Sequence, residues 1–382
     1  MNLDLLIFGG GIAGLWTLLR ARQAGYSVLL LESRALGGIQ SIASQGIIHG
    51  GTKYALTGRL SEAAKAIGGM PGRWRACLEG KGELDLTGVR LLSPHQYLWS
   101  SGSLASAVAG FLGSRAMRSR ARAVPREQLP APFDHAGFDG ALYRLEEPVL
   151  DAASLMATLA EQAGQQCWRY SPEQLELEAG QVRIGDVGLK PRYVLLAAGA
   201  GNQGLMARLG LDQPRMQRRP LHMVMAAGAL PPVYAHAMEA SANPRITITS
   251  HPLPGGECVW YLGGNLAEKG VGLSPAEQIR RARRELGELL PWVDLSGLKW
   301  ATLAIDRAEV ATPGAKRPDD AFLSRQGQVL VTWPTKLAFA PRVADLVLEA
   351  LGDSVPLASP IPELPLEKPA LARLPWEVSE WS

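Results

Sequence analysis

The chain has 382 residues, a formal net charge of +3 and 47% hydrophobic residues, with 42 glycines against 6 phenylalanines. This length suggests two or three domains, and the near-average composition excludes an intrinsically disordered or collagen-like protein. The small net charge argues against a nucleic-acid partner. The three cysteines are widely spaced, which excludes a disulfide framework and argues against a structural zinc site.

The N-terminal residues lack the basic lead of a signal peptide, and no apolar run approaches the roughly 18 residues that span a bilayer. We therefore expect a cytoplasmic protein without a bound metal. Peripheral membrane contact stays open, since the tail carries Trp376 and Trp381.

The N-terminal segment has the pattern of a strand, a glycine turn, a helix and a second strand. An apolar run at 3–8 stops at Gly9-Gly10-Gly11-Ile12-Ala13-Gly14, and residues at helical spacing follow until Gly25. A second apolar run at 27–31 then ends in Glu32. This order, within about thirty residues, predicts a dinucleotide-binding βαβ unit.

Each part of this unit has a physical role in holding NAD or FAD. Gly9 permits a sharp turn, Gly11 lets the backbone approach a pyrophosphate, and Gly14 lets the helix pack closely on the strand. The helix N-terminus offers N–H groups and a positive dipole end to the phosphates. A carboxylate at Glu32 would accept hydrogen bonds from a ribose hydroxyl, which disfavours NADP. The predicted contacts are Gly9, Gly11, Ile12, Ala13, Gly14, Glu32, Ser33 and Arg34.

The loop after Glu32 separates NAD from FAD. A simple NAD dehydrogenase would continue with alternating strands and helices, whereas here small and polar residues lead into Ile47-Ile48-His49-Gly50-Gly51-Thr52-Lys53-Tyr54. This stretch resembles the flavin loop of the D-amino-acid oxidase superfamily. It is most similar to the I-H-G-G-x-R-Y of FAD-dependent glycerol-3-phosphate dehydrogenases and the V-I-H-x-G of L-2-hydroxyglutarate oxidases. The resemblance implies FAD as the cofactor, with contacts from Ser41, Ser44, Gln45, Gly46 and Ile47.

Later segments resemble the same superfamily in the same order. Residues 148–155 open a helix that runs to Ala163, with Asp151 and Ser154 as N-cap candidates. A strand from Tyr193 ends in Ala-Ala-Gly-Ala, similar to the second nucleotide motif of the family, and residues 329–341 resemble its last flavin-binding strand. The contacts that these segments imply are Ala198, Gly199, Lys336, Leu337 and Ala338.

Together these blocks predict an α/β fold with interleaved domains. A Rossmann-like FAD-binding domain would comprise 1–80, 145–214 and 306–352. We expect residues 353–382 to form an extended, proline-rich tail.

The blocks at 81–144 and 215–305 lack nucleotide signals and would form an α+β substrate domain. Apolar runs separated by proline and glycine turns predict an antiparallel sheet, and Ser274-Pro275-Ala276-Glu277 predicts the start of one helix. The resemblance implies that this sheet covers the flavin ring, with the substrate between them.

Two catalytic candidates lie in the flavin loop. His49 is at a position where the superfamily places a histidine near the flavin, so it is a candidate base, ring-orienting group or covalent attachment site, or else a buried structural residue. Lys53 replaces the arginine of I-H-G-G-x-R-Y, which helps to hold an anionic substrate in the glycerol-3-phosphate relatives. Lysine keeps that charge without the bidentate fork, and a solvent-facing lysine is the alternative.

Three further candidates lie later in the chain. Arg307 precedes the last flavin segment, where many family members place an arginine that binds a substrate carboxylate, although Asp306 or Glu309 could pair with it instead. Tyr261, on a predicted strand, is a candidate hydroxyl donor over the flavin. Lys336 is a candidate contact of flavin or substrate.

These residues favour an FAD-dependent oxidoreductase that oxidises a small C–OH substrate, a 2-hydroxy acid or polyol phosphate, by hydride transfer. The first alternative is an amino-acid or secondary-amine oxidase or dehydrogenase of the same superfamily, and the second is a non-catalytic or complex-subunit flavoprotein. The discriminator is chemical, because an alcohol must lose an O–H proton to a base, whereas an amine needs only to arrive deprotonated. We expect an anionic small-molecule substrate and oxygen or a quinone as electron acceptor.

Overall fold

A computed structural model of the chain confirms the mixed α/β class, with helices packed around two large sheets. It describes residues 1–51, 62–100, 121–178, 180–239, 243–334, 336–352 and 363–382. The helices in these ranges are α1 (Ile12–Gln23), α2 (Glu62–Leu78), α3 (Ala152–Ala163), α4 (Asn202–Arg208), α5 (Asn265–Glu268), α6 (Pro275–Leu289), α7 (Ala340–Leu351) and α8 (Pro375–Val378).

Most of the strands belong to the two sheets. In chain order they are β1 (Asn2–Phe8), β2 (Val28–Glu32), β3 (Leu91–Ser93), β4 (Gln96–Ser100), β5 (Ala121–Ala123), β6 (Ala141–Leu145), β7 (Val149–Leu150), β8 (Cys167–Arg169), β9 (Leu175–Glu178), β10 (Gln181–Ile184), β11 (Val187–Leu196), β12 (Met216–Gly228), β13 (Tyr234–Ala237), β14 (Ile246–Pro252), β15 (Cys258–Gly263), β16 (Lys299–Val310), β17 (Phe322–Gln326) and β18 (Val329–Trp333).

The first sheet has the order β17-β18-β11-β1-β2-β8, and β1 lies at its centre, parallel to both of its neighbours. Its side chains alternate between two cores. Leu5 and Ile7 pack in the core that contains α1 and α7, whereas Leu6 and Phe8 pack in the core on the opposite face. Burial on both faces explains why residues 5–8 of this strand are all apolar instead of alternating with polar residues.

The second sheet has the order β16-β12-β15-β14-β13-β4-β6-β5 and is antiparallel except for the parallel pair β13–β4. The predicted helix, α6, covers one face, where Trp260 and Trp300 are fully buried. Its start is a capping box in which Ser274 and Glu277 bond each other's backbone, with Pro275 in the first turn.

The chain passes between the two sheets several times. The first sheet takes its strands from residues 2–32, 167–196 and 322–333, and the second from 96–145, 216–263 and 299–310. β16 runs across the boundary at 305/306, and the exact domain limits stay predictions.

Residues of the C-terminal tail contact both sheets. Leu371 pairs with Leu36 beside the first sheet, and Trp376 is buried against His251 of the second, with their ring centroids 4.3 Å apart. Trp381 donates its indole N–H to the Trp376 carbonyl, so these two tryptophans are packed in the protein and give no support to membrane contact. No helix within the described ranges is long and apolar enough to cross a membrane.

Candidate functional site

A cavity of about 670 Å³ lies between the two sheets. The carboxyl ends of β1, β2 and β11 open onto it from one side, and β12, β14, β15 and β16 contribute residues from the other. Ligands of open α/β sheets bind beyond the carboxyl ends of the strands, and this volume is typical of a ligand site.

The first glycine turn forms a wall of bare backbone. Gly9 has φ +111°, and a Cβ there would lie 2.5 Å from the carbonyl oxygen of Ala197, so this turn requires glycine. A Cβ on Gly14 would lie 1.9 Å from the Gly9 carbonyl oxygen, which fits the close helix packing predicted for it. Gly14 itself does not line the cavity, whereas Gly9, Gly11, Ile12 and Ala13 do.

Glu32 closes this end of the cavity. Its carboxylate accepts hydrogen bonds from the backbone N–H of Gly10 at 2.6 Å and of Arg34 at 2.8 Å. Ser33 and Arg34 line the same region. Tyr170 also lines it, and burial raises the pKa of its hydroxyl to about 12. No sequence motif pointed to Tyr170.

The predicted flavin loop crosses from the first sheet to the second. Ser41, Ser44, Gly46 and Ile47 line the cavity, and the Ser41 hydroxyl accepts the backbone N–H of Ile12 at 2.9 Å. The Ser44 hydroxyl oxygen is buried there without a hydrogen-bond partner in the described part of the chain. A buried polar atom in this condition fits a contact with a polar ligand group.

Gln45 fastens the flavin loop to the second sheet. Its side-chain N–H donates to the carbonyl oxygen of Tyr261 at 2.8 Å, with that of Thr247 at 3.3 Å. Tyr261 bonds back, because its hydroxyl donates to the carbonyl oxygen of Ala43 at 3.1 Å. Gln45 also lines the cavity, so it joins the flavin loop to the second sheet at the cavity wall.

Tyr261 is therefore not placed as predicted. Its side chain is fully buried and does not line the cavity, and burial raises the pKa of its hydroxyl. The position on β15 directs this residue into the packing between sheet and loop, where the hydroxyl serves a structural bond. This placement corrects the prediction that the Tyr261 hydroxyl is a donor over the flavin.

The later nucleotide segments meet the first at the cavity. Ala198, Gly199, Lys336 and Leu337 line it, whereas Ala338 is buried behind it and its carbonyl oxygen accepts the indole N–H of Trp74. All the predicted cofactor residues except Gly14 and Ala338 therefore surround one space.

Two histidines lie together on the cavity wall. His49 and His236 have ring centroids 5.8 Å apart and planes inclined by 20°. His49 Nδ1 is 3.6 Å from Glu147 Oε2, and His236 Nδ1 is 2.7 Å from the Thr247 hydroxyl oxygen. His236 and Glu147 were absent from the sequence prediction, because neither belongs to a local motif.

Arginine side chains surround another part of the wall. Arg307 donates to Glu268 Oε1 at 3.2 Å, and Arg219 shares this carboxylate at 3.3 Å. The Nε of Arg307 is buried without a hydrogen-bond partner among the described residues. Burial lowers the pKa of the Arg307 guanidinium, and the positive charges of Arg219 and Arg317 lower it further. Arg218 and Arg317, both missed from sequence, line the cavity with it.

Of the predicted charged residues, Lys336 lines the cavity, with its Nζ 5.4 Å from the ring centre of Phe339. Lys53 lies outside the described residues.

This arrangement fits a dinucleotide. Backbone N–H groups of a glycine turn, a helix N-terminus and a carboxylate suit a pyrophosphate and a ribose, and the cavity continues past Ser44 and Gln45 to the second sheet.

Comparisons with known proteins agree with this geometry. The family model described as DAO, FAD dependent oxidoreductase, matches residues 4–338. The probable FAD-dependent oxidoreductase PA4991 of Pseudomonas aeruginosa is 51% identical over 387 residues, which cover 99% of this chain and 98% of that protein. Its crystal structure has a TM-score of 0.86 at 47% identity, covering 99% and 98% of the two chains.

More distant solved structures share the fold. Glycine oxidase from Geobacillus kaustophilus has a TM-score of 0.67 at 15% identity, with 92% of this chain and 94% of that chain covered. An L-alpha-glycerophosphate oxidase from Mycoplasma pneumoniae, with FAD bound, has a TM-score of 0.67 at 14% identity, with coverage of 98% and 100%.

Proposed function

The chain belongs to the DAO family of FAD dependent oxidoreductases, and from this premise we propose that it oxidises a small anionic substrate carrying a C–OH group. The substrate class is a 2-hydroxy acid or a polyol phosphate. Family membership confirms the predicted superfamily, the FAD cofactor and the oxidoreductase class. The nearer likeness to glycerol-3-phosphate dehydrogenases and L-2-hydroxyglutarate oxidases remains part of the proposal.

Arg307 carries the proposal of an anionic substrate. Its guanidinium lines the cavity with only 19% of the side chain exposed, and its Nε has no hydrogen-bond partner among the described residues. A buried N–H donor on a cation is costly to leave unpaired, and a carboxylate or phosphate can take two parallel bonds from a guanidinium.

The charge around Arg307 strengthens this argument. Glu268 is shared between Arg307 and Arg219, so one carboxylate faces two cations. Arg219 has a second partner in Glu309, but Arg307 lies near the further charge of Arg317. An incoming anion would meet these guanidinium groups at the cavity wall.

The chain's residues divide the work of holding FAD. Gly9, Gly11 and the N-terminus of α1 would hold the pyrophosphate, and Glu32 would accept bonds from the ribose. Gln45, bonded to Tyr261, would keep the loop beside the flavin in place against the second sheet. When bound, FAD supplies a two-electron acceptor for a hydride.

The choice of C–OH over C–N rests on the two imidazoles at the cavity. An alcohol must lose its O–H proton when it is oxidised, and an imidazole can take this proton near neutral pH. His49 and His236 both line the cavity, so a proton acceptor is available beside the substrate space. An amine substrate needs only to arrive deprotonated, so a proton acceptor at the cavity favours the alcohol.

An anaerobic screen of flavin bleaching tests the proposal. The purified, FAD-loaded protein would be mixed without oxygen with 2-hydroxy acids, glycerol 3-phosphate, D- and L-amino acids and glycine. We expect a hydroxy compound with an anionic group to bleach the yellow flavin, while glycerol, which has no charge, does not. Bleaching by amino acids alone would overturn the C–OH assignment. Bleaching by glycerol as fast as by glycerol 3-phosphate would overturn the anion requirement.

The electron acceptor belongs to the same proposal. We expect oxygen or a quinone to reoxidise the flavin, and reoxidation after bleaching, with air or with a soluble quinone, distinguishes the two. A cytoplasmic location, with or without peripheral membrane contact, stays a prediction.

A further inference from the structure

A buried carboxylate stands behind His49. Glu147 has only 6% of its side chain exposed and lies in the link between β6 and β7. Its Oε1 accepts the backbone N–H of Gly50 at 2.7 Å, and its Oε2 accepts the side-chain N–H of Gln96. The same Oε2 is 3.6 Å from His49 Nδ1. The carboxylate is therefore held from two sides with one oxygen directed to the imidazole.

The sequence at Gly50 permits this approach. A Cβ at Gly50 would lie 3.0 Å from Glu147 Oε1, closer than most real Cβ contacts. The glycine after His49 thus lets a carboxylate reach the backbone beside the imidazole.

The electrostatics favour a proton on His49 when one becomes available. A buried carboxylate is stabilised by a positive partner, and an imidazole near it is easier to protonate. At 3.6 Å the two groups are at ion-pair distance, so uptake of a proton would create an attractive pair.

The position of His236 disfavours a second proton beside His49. Its ring is nearly parallel to that of His49, and its Nδ1 lies 2.7 Å from the Thr247 hydroxyl oxygen. Two positive imidazoles 5.8 Å apart would repel each other. The His49–His236 pair therefore suits the binding of one proton, and Glu147 favours His49 as the residue that is protonated.

We propose that Glu147 is a positioning residue that stabilises the protonated form of His49, so that the His49–His236 pair receives the proton of the substrate hydroxyl. This inference rests on the proposed C–OH substrate. In the step, the O–H bond breaks and its proton goes to an imidazole nitrogen. Its electron pair becomes the second C–O bond, while the carbon loses a hydride to the oxidant that the family's reaction already supplies.

The variant Glu147→Gln tests the inference in the FAD-loaded enzyme. Glutamine keeps the size and an oxygen acceptor for Gly50 but removes the charge. With whichever of glycerol 3-phosphate or the 2-hydroxy acids bleaches the flavin, we expect kcat to fall about 10–100-fold with KM within about twofold. The acidic limb of the kcat–pH profile should move to lower pH, and Glu147→Asp should restore part of the rate.

Glu146→Gln is the matched control. Glu146 is the preceding residue and is one-third exposed, pairing with Arg75 at 3.5 Å and Arg144 at 3.2 Å. We expect this variant to keep the kcat and the pH profile of the wild type.

A histidine NMR titration gives a readout that does not depend on turnover. The chain has six histidines, and the signal of His49 can be assigned by its loss in His49→Asn. In Glu147→Gln this signal should titrate at lower pH than in the wild type, and in Glu146→Gln at the same pH.

The outcomes separate the two proposals. Unchanged kcat, pH profile and titration in Glu147→Gln, with a hydroxy substrate in hand, would overturn the role of Glu147 and leave the proposed function standing. If only amino acids bleach the flavin, the proposed function fails and the proton transfer fails with it, even where the titration of His49 responds to Glu147.

Discussion

The two walls of the cavity are built in different ways. On the side of the first sheet, the wall includes the backbone of glycine turns, such as Gly9, Gly11 and Gly199. On the side of the second sheet, it includes charged and titratable side chains, such as Arg307 and His236. We call the glycine turns the backbone wall and these side chains the side-chain wall. A Cβ on Gly9 would lie 2.5 Å from the Ala197 carbonyl oxygen, so the backbone wall depends on the close packing of main chain. The side-chain wall offers charge and proton-accepting groups to a ligand.

This difference predicts two kinds of sensitivity. The backbone wall should respond to volume, because packed main chain cannot move away from an added methyl group. The side-chain wall should respond to charge and pH. Four substitutions test this division, in order of expected effect: one lies behind the first glycine turn, and three lie in strands of the second sheet, of which only Arg307 lines the cavity.

Gly14→Ala should remove FAD binding. The new Cβ would lie 1.9 Å from the Gly9 carbonyl oxygen, so helix α1 must shift away from the turn. We expect a loss of about 3 kcal/mol in the free energy of unfolding and little flavin in the purified protein. The flavin-to-protein absorbance ratio and thermal unfolding measure the two effects.

The matched control is Gly287→Ala, the same change in helix α6. A Cβ at Gly287 meets no atom within 4 Å, and alanine favours the helix by about 0.5–1 kcal/mol. We expect Gly287→Ala to be more stable than the wild type and to keep its flavin. Full flavin content in Gly14→Ala as well would contradict the steric account of the first glycine turn.

His251 should make the second sheet sensitive to acid. Burial lowers the pKa of this imidazole to about 4 from the ordinary 6.5. Between these values the unfolded chain binds the proton and the folded protein does not, so stability falls as the pH drops from about 6.5 toward 4. The contribution is at most about 3 kcal/mol. When the free energy of unfolding is measured with urea at a series of pH values, His251→Gln should lose less stability than the wild type between about pH 6.5 and 4. Equal losses in both proteins would contradict this role of His251.

Arg307→Ala should weaken substrate binding. Loss of charge-assisted hydrogen bonds to an anionic substrate costs about 1.5–3 kcal/mol, a rise in KM or Kd of roughly 10–150-fold. Arg183→Ala serves as control, because Arg183 forms an exposed pair with Glu176. Unchanged kinetics in Arg307→Ala would remove this arginine from the substrate site. Lys53→Ala was expected from sequence to act in the same direction and can be measured beside it.

Tyr261→Phe should have the smallest effect and should leave the rate unchanged. The change removes the hydrogen bond to the Ala43 carbonyl, worth about 1 kcal/mol, so thermal stability should fall slightly. A large drop in kcat with normal stability would instead support the hydroxyl donor expected from sequence.

The sequence was sufficient where the functional residues are close together along the chain. Gly9, Gly11 and Glu32 lie within one βαβ unit, whose local geometry places them around the same ligand. The flavin loop and the strand before Gly199 were found by resemblance, and their residues do surround the cavity. Lys336 and Leu337, also implied by resemblance, line the cavity as well.

The fold class could also be predicted, because burial on both faces makes residues 5–8 of β1 a continuous apolar run, which is visible in the sequence. The placement of Tyr261 could not. A tyrosine on a strand can face either a ligand or the protein core, and only the contact with Ala43 on the flavin loop decided between them.

Sequence alone thus determined the family, the cofactor and the backbone wall of this oxidoreductase, since those depend on short-range turns and strands that repeat in recognisable patterns. Only the tertiary structure brought His236 and Glu147 to His49, and Glu268 to Arg307. These contacts join residues far apart along the chain, and their energies depend on burial and distance. Neither quantity is encoded in local spacing, so the chemistry of the second wall emerged only when the two sheets were packed together.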